Sequence, residues 1–105
     1  MEGKGNKMTE PTKYKAVTCI KTSEYCPALW EGKLDNGHTF YINFRWGTLN
    51  VSMSDDISDN IDDAIGGKTL LHGQIKSNEW IGYLSYDELK EVLKNVLDLP
   101  EKEDD

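Results

Sequence analysis

Five aspartates, Asp55, Asp56, Asp59, Asp62 and Asp63, crowd into nine positions. Oxygen ligands at that density suggest calcium, whose helix–loop–helix site needs glycine at loop position six and glutamate at twelve. Counting from Asp55 puts Asn60 and Gly66 at those places, and counting from Asp56 puts Ile61 at six. Both frames fail. The cluster then reads as a solvated face or as an acidic surface that meets a basic partner. Zinc would need Cys19, Cys26, His38 and His72 together. The cysteines are spaced too widely for a zinc knuckle, and the histidines lie 34 positions apart. Gly66-Gly67-Lys68-Thr69 ends like a phosphate loop, but that loop needs glycine at position 62, where Asp62 stands. It reads instead as a helix end followed by a strand. Neither cysteine sits in a nucleophile motif, and no pair of residues meets the nucleophile-and-base criteria. The expectation is a chain with no catalytic residues, no metal ligands and no cofactor.

Aromatic placement points toward binding. Trp46 stands beside Arg45 at a tight turn, and Tyr41, Asn43 and Arg45 line the strand face opposite the apolar one. Exposed Trp and Arg are typical anchors of protein interfaces. The other reading folds Trp46 over the end of the sheet, and the sequence leaves both open. A face carrying Tyr41 can also stack bases. With only Arg45 and Lys33 to hold phosphates, direct nucleic-acid binding is set aside.

Charge sharpens this. The 105 residues hold 12 basic and 19 acidic groups, a formal net charge of −7. Residues 1–33 carry six basic and four acidic groups, and residues 34–105 carry six basic and fifteen acidic. The body is therefore more acidic than the average. Such a field opposes docking on nucleic acid or anionic membrane and favours basic partners. No run of apolar residues approaches the ~18 that span a bilayer, and the polar N-terminus lacks the apolar stretch of a signal peptide. Two cysteines without an export signal read as reduced thiols in a cytoplasmic chain.

The elements that must position these residues follow from hydrophobic periodicity. A strand is predicted near 13–21, and another through Ala28, Trp30, Gly32 and Leu34. Asp35-Asn36-Gly37 is a turn signal. Phe40, Ile42 and Phe44 then alternate with polar residues, and after Trp46-Gly47 the apolar phase flips to Leu49, Val51 and Met53. A two-residue turn at Trp46-Gly47 resolves the flip and pairs Phe44 with Leu49, Ile42 with Val51, and Phe40 with Met53. A three-residue loop at 35–37 pairs Trp30 with Ile42, Ala28 with Phe44, and Gly32 with Phe40. The Phe40 ring then covers the bare glycine. Ile57, Ile61, Ala64 and Ile65 form a helical stripe, which predicts a short acidic helix capped at Ser54 or Asp55 and ended by Gly66-Gly67. Thr69 to Ile75 is a candidate fourth strand and Trp80 to Leu84 a short fifth. Ser85-Tyr86-Asp87-Glu88 is a capping box that opens an amphipathic helix with a stripe of Tyr86, Leu89, Val92, Leu93, Val96 and Leu97. Pro100 stops it.

The predicted fold is α+β: an antiparallel meander of four to five strands, with the C-terminal amphipathic helix packed on one face and the short acidic helix between strands. Residues 1–12 are expected to be a flexible arm, 13–99 one domain, and 100–105 an acidic tail. The predicted core is Trp30, Phe40, Ile42, Phe44, Leu49, Val51, Leu89, Val92, Leu93 and Val96.

In size and charge the chain is similar to small acidic inhibitors carried by bacteriophages and mobile elements, including anti-CRISPR, anti-restriction and immunity-type proteins. No residue pattern carries that similarity, so it assigns no residue a role. The expected function is binding and blocking of a basic protein surface, such as that of a nucleic-acid-binding protein. The contacts would be Asp55, Asp56, Asp59, Asp62, Asp63, Arg45, Trp46 and Tyr41. The alternative is a small-molecule-binding or sequestering domain, as a homodimer with its pocket between subunits.

Overall fold

The computed structural model describes residues 13–24, 27–75 and 84–102. The predicted N-terminal arm, Cys26, the last three residues of the acidic tail and all of the predicted fifth strand except Leu84 lie outside the described residues. The fold is α+β. Strand β1 is Tyr14–Lys15, β2 Ile20–Glu24, β3 Ala28–Lys33, β4 Thr39–Arg45 and β5 Thr48–Met53. Helix α1 is Ile61–Ile65, β6 is Lys68–Gln74, α2 is Tyr86–Leu93 and β7 is Leu97–Asp98. Strands β2 to β6 form one antiparallel sheet in chain order, and β1 pairs in parallel with β7.

Hydrophobic alternation sets the register. Trp30 faces Ile42, Ala28 faces Phe44 and Gly32 faces Phe40 across β3 and β4. Phe44 faces Leu49, Ile42 faces Val51 and Phe40 faces Met53 across β4 and β5. All six pairs are the expected ones, because a one-residue slip would turn the whole apolar set to solvent. The turn between β4 and β5 puts Trp46 at φ 55° and Gly47 at φ 79°. Both lie in the left-handed region that a two-residue hairpin loop requires. Gly37 takes φ 92° in the three-residue loop before β4.

One face of this sheet builds the core. Trp30, Phe40, Ile42, Phe44, Leu49 and Val51 are buried there with Leu84, Leu89 and Leu93. Helix α2 starts at a complete capping box: Ser85 accepts from the Glu88 amide, and the Glu88 carboxylate accepts from the Ser85 amide. It ends at Leu93, earlier than the predicted stripe. The Val96 amide donates to the Leu93 carbonyl in a tighter turn, and the chain then leaves to pair with β1. Tyr14 and Ala16 donate to the Val96 and Asp98 carbonyls at 3.0 and 2.9 Å, so parallel pairing displaces the last helical turn. Val92 is consequently surface-exposed and Val96 half-buried, which corrects their placement in the core.

The predicted strand at 13–21 is also split. Its middle is a crossing segment, with Val17 and Thr18 both donating to the Lys33 carbonyl. Gly32 makes the crossing feasible. A methyl group there would sit 2.1 Å from the Thr18 carbonyl oxygen and 2.9 Å from Phe40 Cε1.

The predicted acidic helix is shorter than its stripe. It begins at Ile61, with Asn60 as its N-cap accepting from the Asp62 amide at 3.0 Å. Residues 54–60 instead fold back along the loop between β3 and β4. Ser54 donates its amide to the Thr39 carbonyl at 2.8 Å, and Ser58 donates to the Gly37 carbonyl at 3.2 Å. Backbone groups satisfied by a neighbouring loop have no need of a helix. Ser54 is not a cap. Its buried hydroxyl accepts from the Thr39 amide and donates to the Asp56 carbonyl. Ile57 and Ile65 stay exposed, and only Ala64 of the expected stripe is buried.

Candidate protein-binding site

Asp55, Asp56, Asp62 and Asp63 come together around an open concavity of about 400 Å³, closed at one side by Gly66. The sharp return after β5 supplies the first pair, and the first turn of α1 supplies the second. Asp62 and Asp63 thus sit at the favourable end of their helix, opposite to the end the longer stripe implied. Asp63 also accepts from the Ser58 hydroxyl at 2.6 Å, which ties α1 to the returning loop. No cationic side chain lines the concavity among the described residues.

Asp59 does not join the other four. It points to the opposite side of the loop, where the Lys33 ammonium donates to it. That hydrogen bond, together with the Lys33 charge, holds the Asp59 carboxyl below its ordinary value of 3.8. Lys33 also donates to the Ser58 carbonyl at 3.0 Å, so it serves as a clamp for the loop. Sequence reasoning missed this clamp, because 26 residues separate Lys33 from Asp59 and no periodicity links them.

Arg45 and Trp46 lie at the far end of the β4–β5 hairpin. Six strand residues separate them from Asp55, roughly 20 Å at about 3.3 Å per residue. Trp46 is 51% exposed, which places it in solvent at the turn rather than folded over the sheet. A bulky side chain at positive φ is strained, and asparagine or glycine would suit the turn better. Tyr41 lies between the two ends on the outer sheet face. It borders a shallow hollow of about 160 Å³ with Asn43, Asn50, Ser52, Ile65 and Thr69. Its hydroxyl accepts from Asn43 Nδ2 at 3.3 Å.

The histidines have structural roles. His38 Nδ1 donates to the Ser54 carbonyl at 2.7 Å, and His72 Nδ1 contacts Asn50 Oδ1 on the neighbouring strand. Cys19 is a buried thiol. No group of three or more potential metal-ligating side chains occurs among the described residues, and no helix there is long and apolar enough to cross a membrane. Compared with models of protein families, with curated proteins and with solved structures, the chain matches none.

Proposed function

We propose that this chain is a non-enzymatic interaction protein of the cytoplasm that binds a basic protein surface and blocks it by occupying it. The observation that carries the reading is the concavity walled by Asp55, Asp56, Asp62 and Asp63 with no cation on its lining. Four carboxylates held by backbone geometry present a fixed negative field, and a cationic partner is captured faster in such a field at low salt. Arg45 and Trp46 act as a separate anchor at the other end of the hairpin. Asp59 contributes little, since Lys33 already faces it. A DNA-binding protein is a natural target class, because an acidic surface competes for the groove that neutralises phosphates.

The test is affinity capture from the native host with the full chain and with a variant carrying Asp55→Lys, Asp56→Lys, Asp62→Lys and Asp63→Lys. Partner yield should fall at least tenfold with the variant. A partner captured in equal yield, with equal resistance to salt, would rule out the acidic concavity as the binding surface.

A further inference from the structure

A backbone amide attacks the side chain of a preceding asparagine most readily when the amide belongs to glycine, which has no side chain to shield its nitrogen. The chain has seven asparagines, and only Asn36 precedes a glycine. Asn6, Asn43, Asn50, Asn60, Asn78 and Asn95 precede lysine, phenylalanine, valine, isoleucine, glutamate and valine. Asn36 is exposed in the loop before β4, and Gly37 after it takes φ 92°.

The loop does more than expose this pair. The His38 amide donates to Asn36 Oδ1 at 3.0 Å. That bond polarises the side-chain carbonyl and makes its carbon, Cγ, a better target for a nucleophile. The same N–H already faces the oxygen that gains negative charge when Cγ is attacked, which is the placement of an oxyanion donor. The loop also anchors the return that carries the first two aspartates of the concavity. Ser58 donates its amide to the Gly37 carbonyl at 3.2 Å, and Ile57 Cγ2 lies 3.1 Å from where a methyl group on Gly37 would stand. Together with the Ser54 amide bond to Thr39, this contact brackets Asp55 and Asp56.

We propose that Asn36 is a site of spontaneous covalent modification, deamidation through a cyclic imide, and that its isoaspartate product loosens the return carrying Asp55 and Asp56. The hydrogen bond from the Gly37 amide to the Leu34 carbonyl, 3.0 Å long, opens first. The Gly37 nitrogen gives its proton to water and attacks Asn36 Cγ. A bond forms between them, the bond from Cγ to Nδ2 breaks, and Nδ2 leaves as ammonia with a proton from water. Nothing is oxidised or reduced. Water then opens the ring at either carbonyl. Opening at Cγ leaves aspartate. Opening at the backbone carbonyl leaves isoaspartate, whose main chain runs through the former side chain and is one carbon longer. Either product adds one negative charge to the loop. The longer chain of isoaspartate carries the Gly37 carbonyl away from Ser58, whereas aspartate leaves it in place. The chemistry is independent of what the chain binds.

The test is to age the folded full chain at neutral and at mildly alkaline pH in heavy-oxygen water, beside Asn36→Gln and Asn36→Asp. Proteolytic fragments are then weighed, and isoaspartate is read by enzymatic methylation of its free carboxylate. The expected result is uptake of one heavy oxygen at position 36, isoaspartate there ahead of every other asparagine, a faster reaction at the higher pH, and none at that position in Asn36→Gln. Hydrogen exchange at the Ser58 amide should be at least tenfold faster in the isoaspartate fraction than in the parent, and unchanged in fresh Asn36→Asp, which has the added charge without the added carbon. No isoaspartate at position 36, or equal reaction at the other asparagines, would overturn the site. An isoaspartate fraction whose Ser58 amide exchanges at the parent's rate would overturn the loosening of the return.

Discussion

Gly32→Ala should cost this protein about 3 kcal/mol, and the number follows from what the new methyl would meet. The added carbon would lie 2.1 Å from the Thr18 carbonyl oxygen and 2.7 Å from its carbon. Ordinary contact begins near 3.4 Å, so the crossing segment must lift by more than 1 Å. That segment is held by three hydrogen bonds. Val17 donates to the Lys33 carbonyl at 2.7 Å, Thr18 donates to the same oxygen at 3.4 Å, and the Lys33 amide donates to Thr18 Oγ1 at 3.0 Å. At about 1 kcal/mol net each, their loss accounts for about 3 kcal/mol. Lifting the segment also disturbs Ala16 and Cys19, both buried, so the figure is a lower bound. Against a total stability of about 5–15 kcal/mol, the effect is large. It should lower Tm by roughly 12–24 °C at about 4–8 °C per kcal/mol. The assay is equilibrium urea unfolding of the full chain, with Gly73→Ala as the internal control. Among the described residues no atom lies within 4 Å of a methyl group at Gly73, so that variant should be neutral or up to about 1 kcal/mol more stable. A Gly32→Ala midpoint within experimental scatter of the parent would refute the crossing geometry, and with it the placement of Lys33.

Three further outcomes follow from the site. Ser54→Ala should cost about 1–3 kcal/mol, because the Thr39 amide loses its buried acceptor. It should also speed amide exchange over residues 55–60, and an unchanged exchange pattern would refute its role as the anchor of that loop. The Lys33 hydrogen bond lowers the Asp59 pKa, so the pair's contribution to stability is present above about pH 4 and fades as pH falls through the lowered value. Lys33→Met should move the Asp59 midpoint back up toward 3.8 in an NMR titration. Trp46→Ala should weaken partner capture about thirtyfold, the scale of a true interface anchor. The stability of that variant should fall only through the lost partial burial of the indole, since alanine keeps the Cβ that strains a positive φ; a capture yield equal to the parent's would remove Trp46 from the interface.

Where a segment's partners are its chain neighbours, the sequence was readable. The phase flip at Trp46-Gly47 allowed one turn, and that turn dictated three apolar pairs. The β3–β4 register followed in the same way, since only a three-residue loop brought Trp30 opposite Ile42. Segments whose fate depends on distant partners were misread. Residues 54–60 carry a helical stripe, yet they answer to hydrogen bonds from Thr39 and Gly37, which periodicity does not see. Val96 and Leu97 extend the stripe of α2, yet pairing with Tyr14 takes them away. The true N-cap, Asn60, falls inside the longer helix that the apolar stripe predicts, so the stripe hid it. For the site, the aspartates were visible as a group. Which four share a concavity was not, because the Lys33 clamp that turns Asp59 away comes from another strand.

The most direct test of the central claim is the salt dependence of affinity for the captured partner. Binding should be titrated calorimetrically at about 50 and about 300 mM salt, a range over which screening shortens from more than 10 Å to about 6 Å. The parent chain should lose at least tenfold in affinity across that range. A variant with Asp55→Asn, Asp56→Asn, Asp62→Asn and Asp63→Asn should bind more weakly at low salt and lose less on going to high salt. Equal affinities and equal salt slopes for the two chains would contradict the account.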